Sequence, residues 1–188
     1  MIVFLLLGIW LAADPGFAAS YQQQNGSVVD PIRDIFSNVH SYSGEDLGPT
    51  VVLTGADLSF ADLDSADLES SVLSNANLTS TDLDHADLSL SDLSGAVLTD
   101  ATLRFAVFSG VQLSGADFRG AQLANASGLD LATGSARYDT ATDFTGSGFD
   151  PVAAGWTLVP EPSLSLLMGL GLAGLAAHRK RAVALRAR

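Results

Sequence analysis

A leucine or phenylalanine recurs at every fifth position across the middle of this chain, without interruption. This period matches neither the 3.6-residue repeat of an α-helix nor the two-residue repeat of a flat strand. Two residues before each large residue stands a small or β-branched residue, and Asp, Asn, Gln, Val or Thr lies between them. The large residues, predicted as the structural core, are Leu53, Leu58, Leu63, Leu68, Leu73, Leu78, Leu83, Leu88, Leu93, Leu98, Leu103, Phe108, Leu113, Phe118 and Leu123.

A square coil is one geometry that satisfies this pattern, because each five-residue side can bury one large and one small residue. Four sides close after about twenty residues, and successive coils pair about 4.8 Å apart. That register stacks Leu63, Leu83 and Leu103 in one inward column. The other three residues of each pentad then face solvent.

The pentads read locally as Ala-Asp-Leu-Ser-Gly, as in the stretch Ala116-Asp117-Phe118-Arg119-Gly120. Over residues 51–126 the chain resembles the pentapeptide-repeat proteins. The resemblance implies an all-β fold, a right-handed quadrilateral β-helix, here a solenoid of fewer than four coils. A solenoid this short needs covered ends, because exposed strand edges template aggregation.

Residues 21–50 are predicted to be an N-terminal cap and linker that contains a short capping helix. Asp30 resembles a helix N-cap and Pro31 suits the first helical position. The apolar face of this helix would cover the first coil. Its residues are Ile32, Ile35, Phe36 and Val39.

After Ala126 the period fails, and residues 127–158 are predicted to form a C-terminal cap. This stretch resembles the aromatic ending of many pentapeptide-repeat proteins. We expect Phe144, Phe149 and Trp156 to cover the last coil rather than to form a ligand site.

Both ends of the chain carry targeting signals. Residues 1–20 begin with an uncharged apolar stretch and end in small residues, which predicts a cleaved signal peptide, although only the terminal amine supplies the usual basic charge. At the other end, residues 164–177 are apolar and are followed by a basic cluster at Arg179, Lys180 and Arg181. Basic residues after an apolar span hold that end in the cytoplasm, so 164–177 is predicted to be a short transmembrane segment.

Residues 159–188 resemble the PEP-CTERM sorting signal, because a proline-rich motif, an apolar run and a basic end follow in that order. The resemblance implies recognition by an exosortase, a membrane cysteine protease of Gram-negative bacteria, and delivery to the cell surface or extracellular matrix. The chain would be its substrate, anchored in the inner membrane before processing. The motif residues are Val159, Pro160, Glu161 and Pro162.

The part between the two signals is strongly acidic. Residues 19–160 contain 19 Asp and Glu against 4 Arg, a balance of −15. Such a charge disfavours nucleic acids and anionic headgroups as partners. The chain has no cysteine, which excludes disulfides and a thiol nucleophile.

Stacking sets acidic residues above one another, for example Asp62 with Asp82 and Asp67 with Asp87. A solvated acidic face is the favoured interpretation, and a Ca²⁺ site in these columns stays open. His85 follows Asp84, but a flat solenoid side offers no pocket for a hydrolytic triad. We predict no catalytic residue, no metal site and no cofactor.

The sequence favours an exported, non-enzymatic surface or extracellular-matrix protein of structural or adhesive function. Expected partners are the exosortase, the membrane through the tail, and an exopolysaccharide or another surface protein. The alternative is an acidic DNA mimic that acts on a DNA-binding target such as gyrase, as some pentapeptide-repeat proteins do. Location separates the two hypotheses, because gyrase is cytoplasmic and both ends of this chain indicate export.

Overall fold

The structure is a computed structural model that describes residues 20–23, 28–29, 32–35 and 47–160. The predicted signal peptide upstream of Ser20 and most of the sorting tail, residues 161–188, lie outside the described residues. Regular elements are very short in the described part. They are β1 (Tyr21–Gln22), β2 (Val28–Val29), β3 (Arg33–Asp34), β4 (Ala61–Asp62), a single-turn 3₁₀ helix (Leu129–Leu131), β5 (Arg137–Tyr138) and β6 (Thr157–Leu158).

The architecture is carried by parallel backbone pairing between residues twenty positions apart, as the five-residue period predicts. Val52 pairs with Val72, which pairs with Asp92, and the three other sides of the coil repeat the pattern. Along one rung, the Leu53 amide donates to the Val72 carbonyl at 2.7 Å, and the Val72 amide donates to the Val51 carbonyl at 2.8 Å. Each coil is thus bonded to the coils before and after it through its main chain.

The core is a stack of leucines with a column of small residues beside them. All fifteen large residues of the pentads are buried. The small residues two positions earlier are buried as well, except Ala56, which is partly buried against the core. A five-residue side leaves room for one large and one small inward side chain, and this limit sets the composition of the interior.

The corners of the coil are left-handed. From Thr50 to Asn125, every fifth residue has a positive φ between 55° and 78°. Five of these sixteen positions are glycine, and the others include bulky residues such as Phe60, Leu90 and Phe105. A non-glycine residue in this region costs about 1–2 kcal/mol, so the stacked coils on either side must hold these corners in place.

The coiling continues past Ala126, where the sequence predicted its end. Ser127 pairs with Val107, Thr133 with Gln112, Arg137 with Asp117 and Asp143 with Gln122. The steps between these later residues are six, four and six positions rather than five, which hides the stacking from a periodicity analysis. β6 then pairs in parallel with β5, so residues predicted as a cap form a further, irregular coil.

At the N-terminal end, the predicted helix is wrong where the structure describes it. Arg33–Asp34 is a strand, β3, which pairs antiparallel with β4 on the first coil. Ile32 is fully buried, whereas Ile35 is exposed. The first coil has unpaired backbone groups at its edge, and a strand can satisfy them while a helix cannot. Phe36 and Val39 lie outside the described residues.

A second segment covers another side of the same edge. Gln23 bridges antiparallel to Ala66, and the Asp67 amide donates to the Gln22 carbonyl at 2.8 Å. Ser20 is buried, and its carbonyl accepts the Leu47 amide at 2.6 Å. Ser20, the last residue of the predicted signal peptide, therefore belongs to the folded unit.

Candidate functional site: the outward face and the sorting junction

The outward Asp residues of the pentads fold back onto their own turns. Where Asp stands between the small and the large inward residue, one carboxylate oxygen accepts the amide two residues later, with Asp87 to Ser89 and Asp92 to Ser94 both at 2.9 Å. Asn77 does the same for Thr79 at 3.2 Å. Such side-chain turns stabilise tight corners. A large part of the acidic face thus has a local structural role, which the interpretation as a merely solvated surface missed.

Other groups partly offset the charge repulsion in the column that holds Asp62 and Asp82. Thr102 Oγ1 donates to Asp82 Oδ1 at 2.8 Å. Burial raises the pKa of Asp62, and repulsion from Asp82 and Asp64 adds to that rise, while a hydrogen bond from the Asp64 amide opposes it. The charge on Asp62 is therefore unfavourable in the folded state. Within residues 47–160 and the three short described segments before them, no three Asp, Glu or His side chains converge to hold a metal ion.

Two carboxylates on this face are buried, and arginines pair with both. Asp84 accepts the Arg104 backbone amide at 2.9 Å, and the Arg104 guanidinium donates to it from Nε at 2.8 Å and from the neighbouring Nη2. Asp117 is only 3% exposed and receives Nη2 of Arg119 at 2.8 Å and Nη2 of Arg137 at 3.1 Å. Burial alone would raise the pKa of Asp117, but hydrogen bonds and charge from Arg119, together with Arg137, outweigh it and lower that pKa.

A twenty-residue interval explains two of these pairs, since Arg104 stands one coil above Asp84 and Arg137 one coil above Asp117. The register over residues 51–126 was available from the sequence, so Arg104 could have been found by adding twenty to 84, whereas Arg137 lies beyond Ala126, where the period fails. Side chains on three successive coils also contact one another at His85. Its Nδ1 lies 3.3 Å from Asp64 Oδ1, and its imidazole stacks on the Phe105 ring with the centroids 5.1 Å apart. His85 is part of a surface stack of side chains.

The far end of the solenoid is filled by aromatic side chains. Trp156 is 7% exposed, and its ring centroid lies 5.1 Å from Phe118, 5.0 Å from Phe149 and 5.9 Å from Phe144. Phe118 also meets Phe108 edge-on at 6.1 Å. These contacts extend the leucine core to the last coil, so Trp156 anchors the chain directly before the sorting tail.

The sorting motif begins inside this last coil. The Val159 amide donates to the Tyr138 carbonyl at 2.7 Å, and Thr157 donates to the Ala136 carbonyl at 2.8 Å. Val159 is half-buried and Pro160 is exposed. Of the four predicted motif residues, the structure therefore places Val159 in the fold and Pro160 at its border, while Glu161 and Pro162 lie outside the described residues.

The sequence matches the models of two known sequence families, in separate parts of the chain. Residues 52–90 and 91–127 match "Pentapeptide repeats (8 copies)", and residues 158–181 match the "PEP-CTERM protein-sorting motif". The chain belongs to the pentapeptide-repeat proteins. It also carries a PEP-CTERM sorting motif, which starts at β6 of this pentapeptide-repeat protein.

Solved structures of the same kind are also similar to this pentapeptide-repeat protein. Rfr23 from the cyanobacterium Cyanothece 51142 is 27% identical over 66% of this chain and 77% of its own, with a TM-score of 0.41. The pentapeptide-repeat protein alr5209 from Nostoc PCC 7120 is 30% identical over 58% of this chain and 98% of its own, with a TM-score of 0.32. No curated protein sequence matches the chain.

A structural neighbour of lower identity is a resistance protein. QnrB1, a plasmid-mediated fluoroquinolone resistance protein, is 16% identical over 68% of this chain and 89% of its own. Its TM-score is 0.26, so the similarity carries no functional argument. The hypothesis of an acidic DNA mimic that acts on gyrase gains no support.

No helix in the described part of the chain is long and apolar enough to cross a membrane. The predicted transmembrane segment, residues 164–177, lies outside the described residues. It therefore stays a prediction of the sequence.

Proposed function

We propose that this protein is a non-enzymatic component of the cell surface or extracellular matrix, exported by a Gram-negative bacterium and processed by an exosortase. One observation carries the proposal: a folded solenoid runs directly into a PEP-CTERM sorting motif at residues 158–181. An inner-membrane precursor anchored through residues 164–177 would be the substrate of the processing enzyme. The processed solenoid would then act in a structural or adhesive role, with an exopolysaccharide or another surface protein as partner.

The chemistry of the outward face favours a binding surface over a catalytic one. Its Asp side chains accept turn amides, as at Asp87 and Asp92, and its buried carboxylate Asp117 pairs with arginines. Groups engaged in this way are poorly suited to transfer protons or attack a substrate. A regular, rigid and acidic surface suits a passive element of a matrix.

The sorting step is tested by the intact mass of protein extracted from the surface of the native host. We expect a mature form that ends near Pro160 to Pro162 and lacks residues 164–188. Changing Pro160, Glu161 and Pro162 together to Ala should leave the solenoid folded but retain the uncleaved form in the inner membrane. A surface form with the intact tail in an exosortase-positive host would overturn the proposal.

The role of the acidic face is tested with variants that remove charge but keep the turns. Asn77 already serves as a turn acceptor, so Asp67, Asp87 and Asp92 can each become Asn without loss of the local hydrogen bond. If matrix binding depends on the acidic charge, the triple variant should lose co-sedimentation with host exopolysaccharide. Ser94→Asp, which adds charge on the same outward face, is the matched control.

The mature N-terminus is proposed to be Ala19. Small residues allow cleavage after Ala18 or after Ser20, but the Ser20 carbonyl accepts the Leu47 amide in the fold. Cleavage after Ala18 keeps this contact. N-terminal sequencing of the exported protein distinguishes the two sites, and a mature chain that starts at Tyr21 would contradict the assignment.

A further inference from the structure

The tail that an exosortase must reach leaves the solenoid without a spacer. Thr157–Leu158 is strand β6, the Val159 amide makes the last described backbone hydrogen bond of the coil, and Pro160 follows immediately. The matched sorting motif starts at residue 158, within that strand. The residues just before the proline motif are thus hydrogen-bonded to the previous coil.

β6 is held differently from the coils below it. Thr157 is exposed and Leu158 is 48% exposed, so neither side chain is committed to the core. Backbone bonds from Thr157 to Ala136 and from Val159 to Tyr138 attach the strand to its neighbours. Opening of such an edge strand uncovers little apolar surface, and such segments open more readily than a core.

Trp156 limits how far the opening can spread. Its ring packs on Phe118 and Phe149 at 5.1 and 5.0 Å and covers the end of the core. The change from exposed to buried side chains falls between Thr157 and Trp156. Residues 157–159, which are β6 and Val159, can therefore detach together while the solenoid stays folded.

From this geometry we propose that β6 is a releasable strand that must leave the last coil before the tail is cleaved. An enzyme that binds an extended peptide uses main-chain hydrogen bonds and space on both sides of the chain. Residues 157–159 cannot offer both while they pair with residues 136–138. The last coil therefore sets the rate of processing through the fraction of molecules in which β6 is open. This inference rests on the proposed exosortase processing.

A reversible lock on β6 tests the inference. Arg137 and Thr157 are register partners on adjacent strands and both are exposed, and strands of this kind lie within disulfide reach. The chain has no native cysteine, so the double variant Arg137→Cys with Thr157→Cys can form no other intramolecular bridge. The full-length precursor would be incubated with membranes that contain the exosortase, and cleavage followed by mass.

We expect the oxidised double variant to be cleaved at least about tenfold more slowly than its reduced form. Each single cysteine variant serves as a control for the loss of the native side chain. Equal rates for the oxidised and reduced forms would overturn the inference. If the wild-type precursor is not cleaved in these membranes, the proposed function itself fails, so the two failures are distinguishable.

The opposite change should accelerate processing. Thr157→Pro removes the amide that bonds to Ala136, whereas Thr157→Ala keeps it and changes only an exposed side chain. We expect several-fold faster cleavage for the proline variant and no change for the alanine variant. A Gly-Ser-Gly-Ser insertion between Val159 and Pro160 moves the sorting motif away from the last coil. With this insertion, the alanine variant should be cleaved as fast as the proline variant. If the insertion does not accelerate cleavage of the alanine variant, the releasable strand is contradicted.

Discussion

The interior and the outer face of the same coil obey different rules. Inside, every pentad repeats one solution, and Leu63, Leu83 and Leu103 occupy equivalent buried positions. Outside, equivalent positions differ: along one corner Ser65, His85 and Phe105 follow one another. The interior has a fixed volume per side, whereas the outer face only has to satisfy its turn amides and balance its charges. The widest range of residue types is therefore found on the side that meets solvent.

The largest effect is expected from a charged residue in the buried leucine column. Leu83→Asp places a carboxylate between Leu63 and Leu103, where no group can pair with it, and should unfold the solenoid at a cost of at least about 4 kcal/mol. Ser94→Asp, on the outer face, should cost less than about 0.5 kcal/mol. Thermal unfolding followed by circular dichroism measures both. Similar losses for the two variants would show that the inside and the outside are wrongly assigned.

The corners provide the next comparison. Gly134 has φ of 85°, and a Cβ added there would lie 2.8 Å from the Ser114 backbone nitrogen, whereas a Cβ at Gly115 would meet nothing within 4 Å. Both Ala variants carry the left-handed penalty of about 1 kcal/mol, and the backbone clash adds to it only at Gly134. We expect Gly134→Ala to destabilise the fold by about 2–3 kcal/mol and Gly115→Ala by about 1 kcal/mol. Chemical denaturation of the two variants would contradict this geometry if the order were reversed.

Buried charge on the outer face predicts a pH effect. The lowered pKa of Asp117 means that its contribution to stability is complete above the ordinary Asp value of 3.8 and is lost as the pH falls through the lowered folded value. Asp117→Asn should therefore cost about 1–2 kcal/mol at pH 7 and much less near pH 2. Urea unfolding at the two pH values measures the difference. A cost independent of pH would mean that the carboxylate charge does not stabilise the fold.

The raised pKa of Asp62 has the opposite effect on stability. Its charge opposes folding, so the penalty is absent at low pH and appears as the pH rises from the ordinary value through the raised folded value. Asp62→Asn should thus be neutral or slightly stabilising at pH 7 while it keeps the turn acceptor. This variant is the matched control for Asp117→Asn, and equal destabilisation by both would remove the distinction between paired and repelled carboxylates.

A small effect of either sign is expected in the small-residue column of the interior. Ser91 is fully buried and its hydroxyl is the one buried side-chain donor in the described part of the chain without a partner. Thr81 Oγ1, in contrast, donates to the Leu58 carbonyl at 2.7 Å. Ser91→Ala should stabilise the fold by up to about 1 kcal/mol, and Thr81→Val should destabilise it by about 1 kcal/mol. A loss of stability in both variants would show that Ser91 has a partner after all.

Two predictions from local sequence patterns were wrong: the capping helix before the first coil and the end of the coils at Ala126. Asp30 and Pro31 satisfy the rules for the start of a helix, yet Arg33–Asp34 pairs with Ala61–Asp62, because the edge of the first coil requires backbone partners that no local pattern reveals. Beyond Ala126, single-residue shifts disguise coils that the backbone ladder accommodates at its corners, as at the 3₁₀ turn Leu129–Leu131.

The sequence by itself determined the period, the inward column and the sorting motif, because each depends on residues close together in the chain. The twenty-residue register also follows from it, and with it the pairing of Asp84 with Arg104. Only the tertiary structure decided how the ends are covered, that Arg137 lies beside Asp117, and that Val159 is bonded into the last coil. These features depend on contacts between residues that are far apart in the chain. Such contacts form, and stabilise the fold, only when the whole solenoid is assembled.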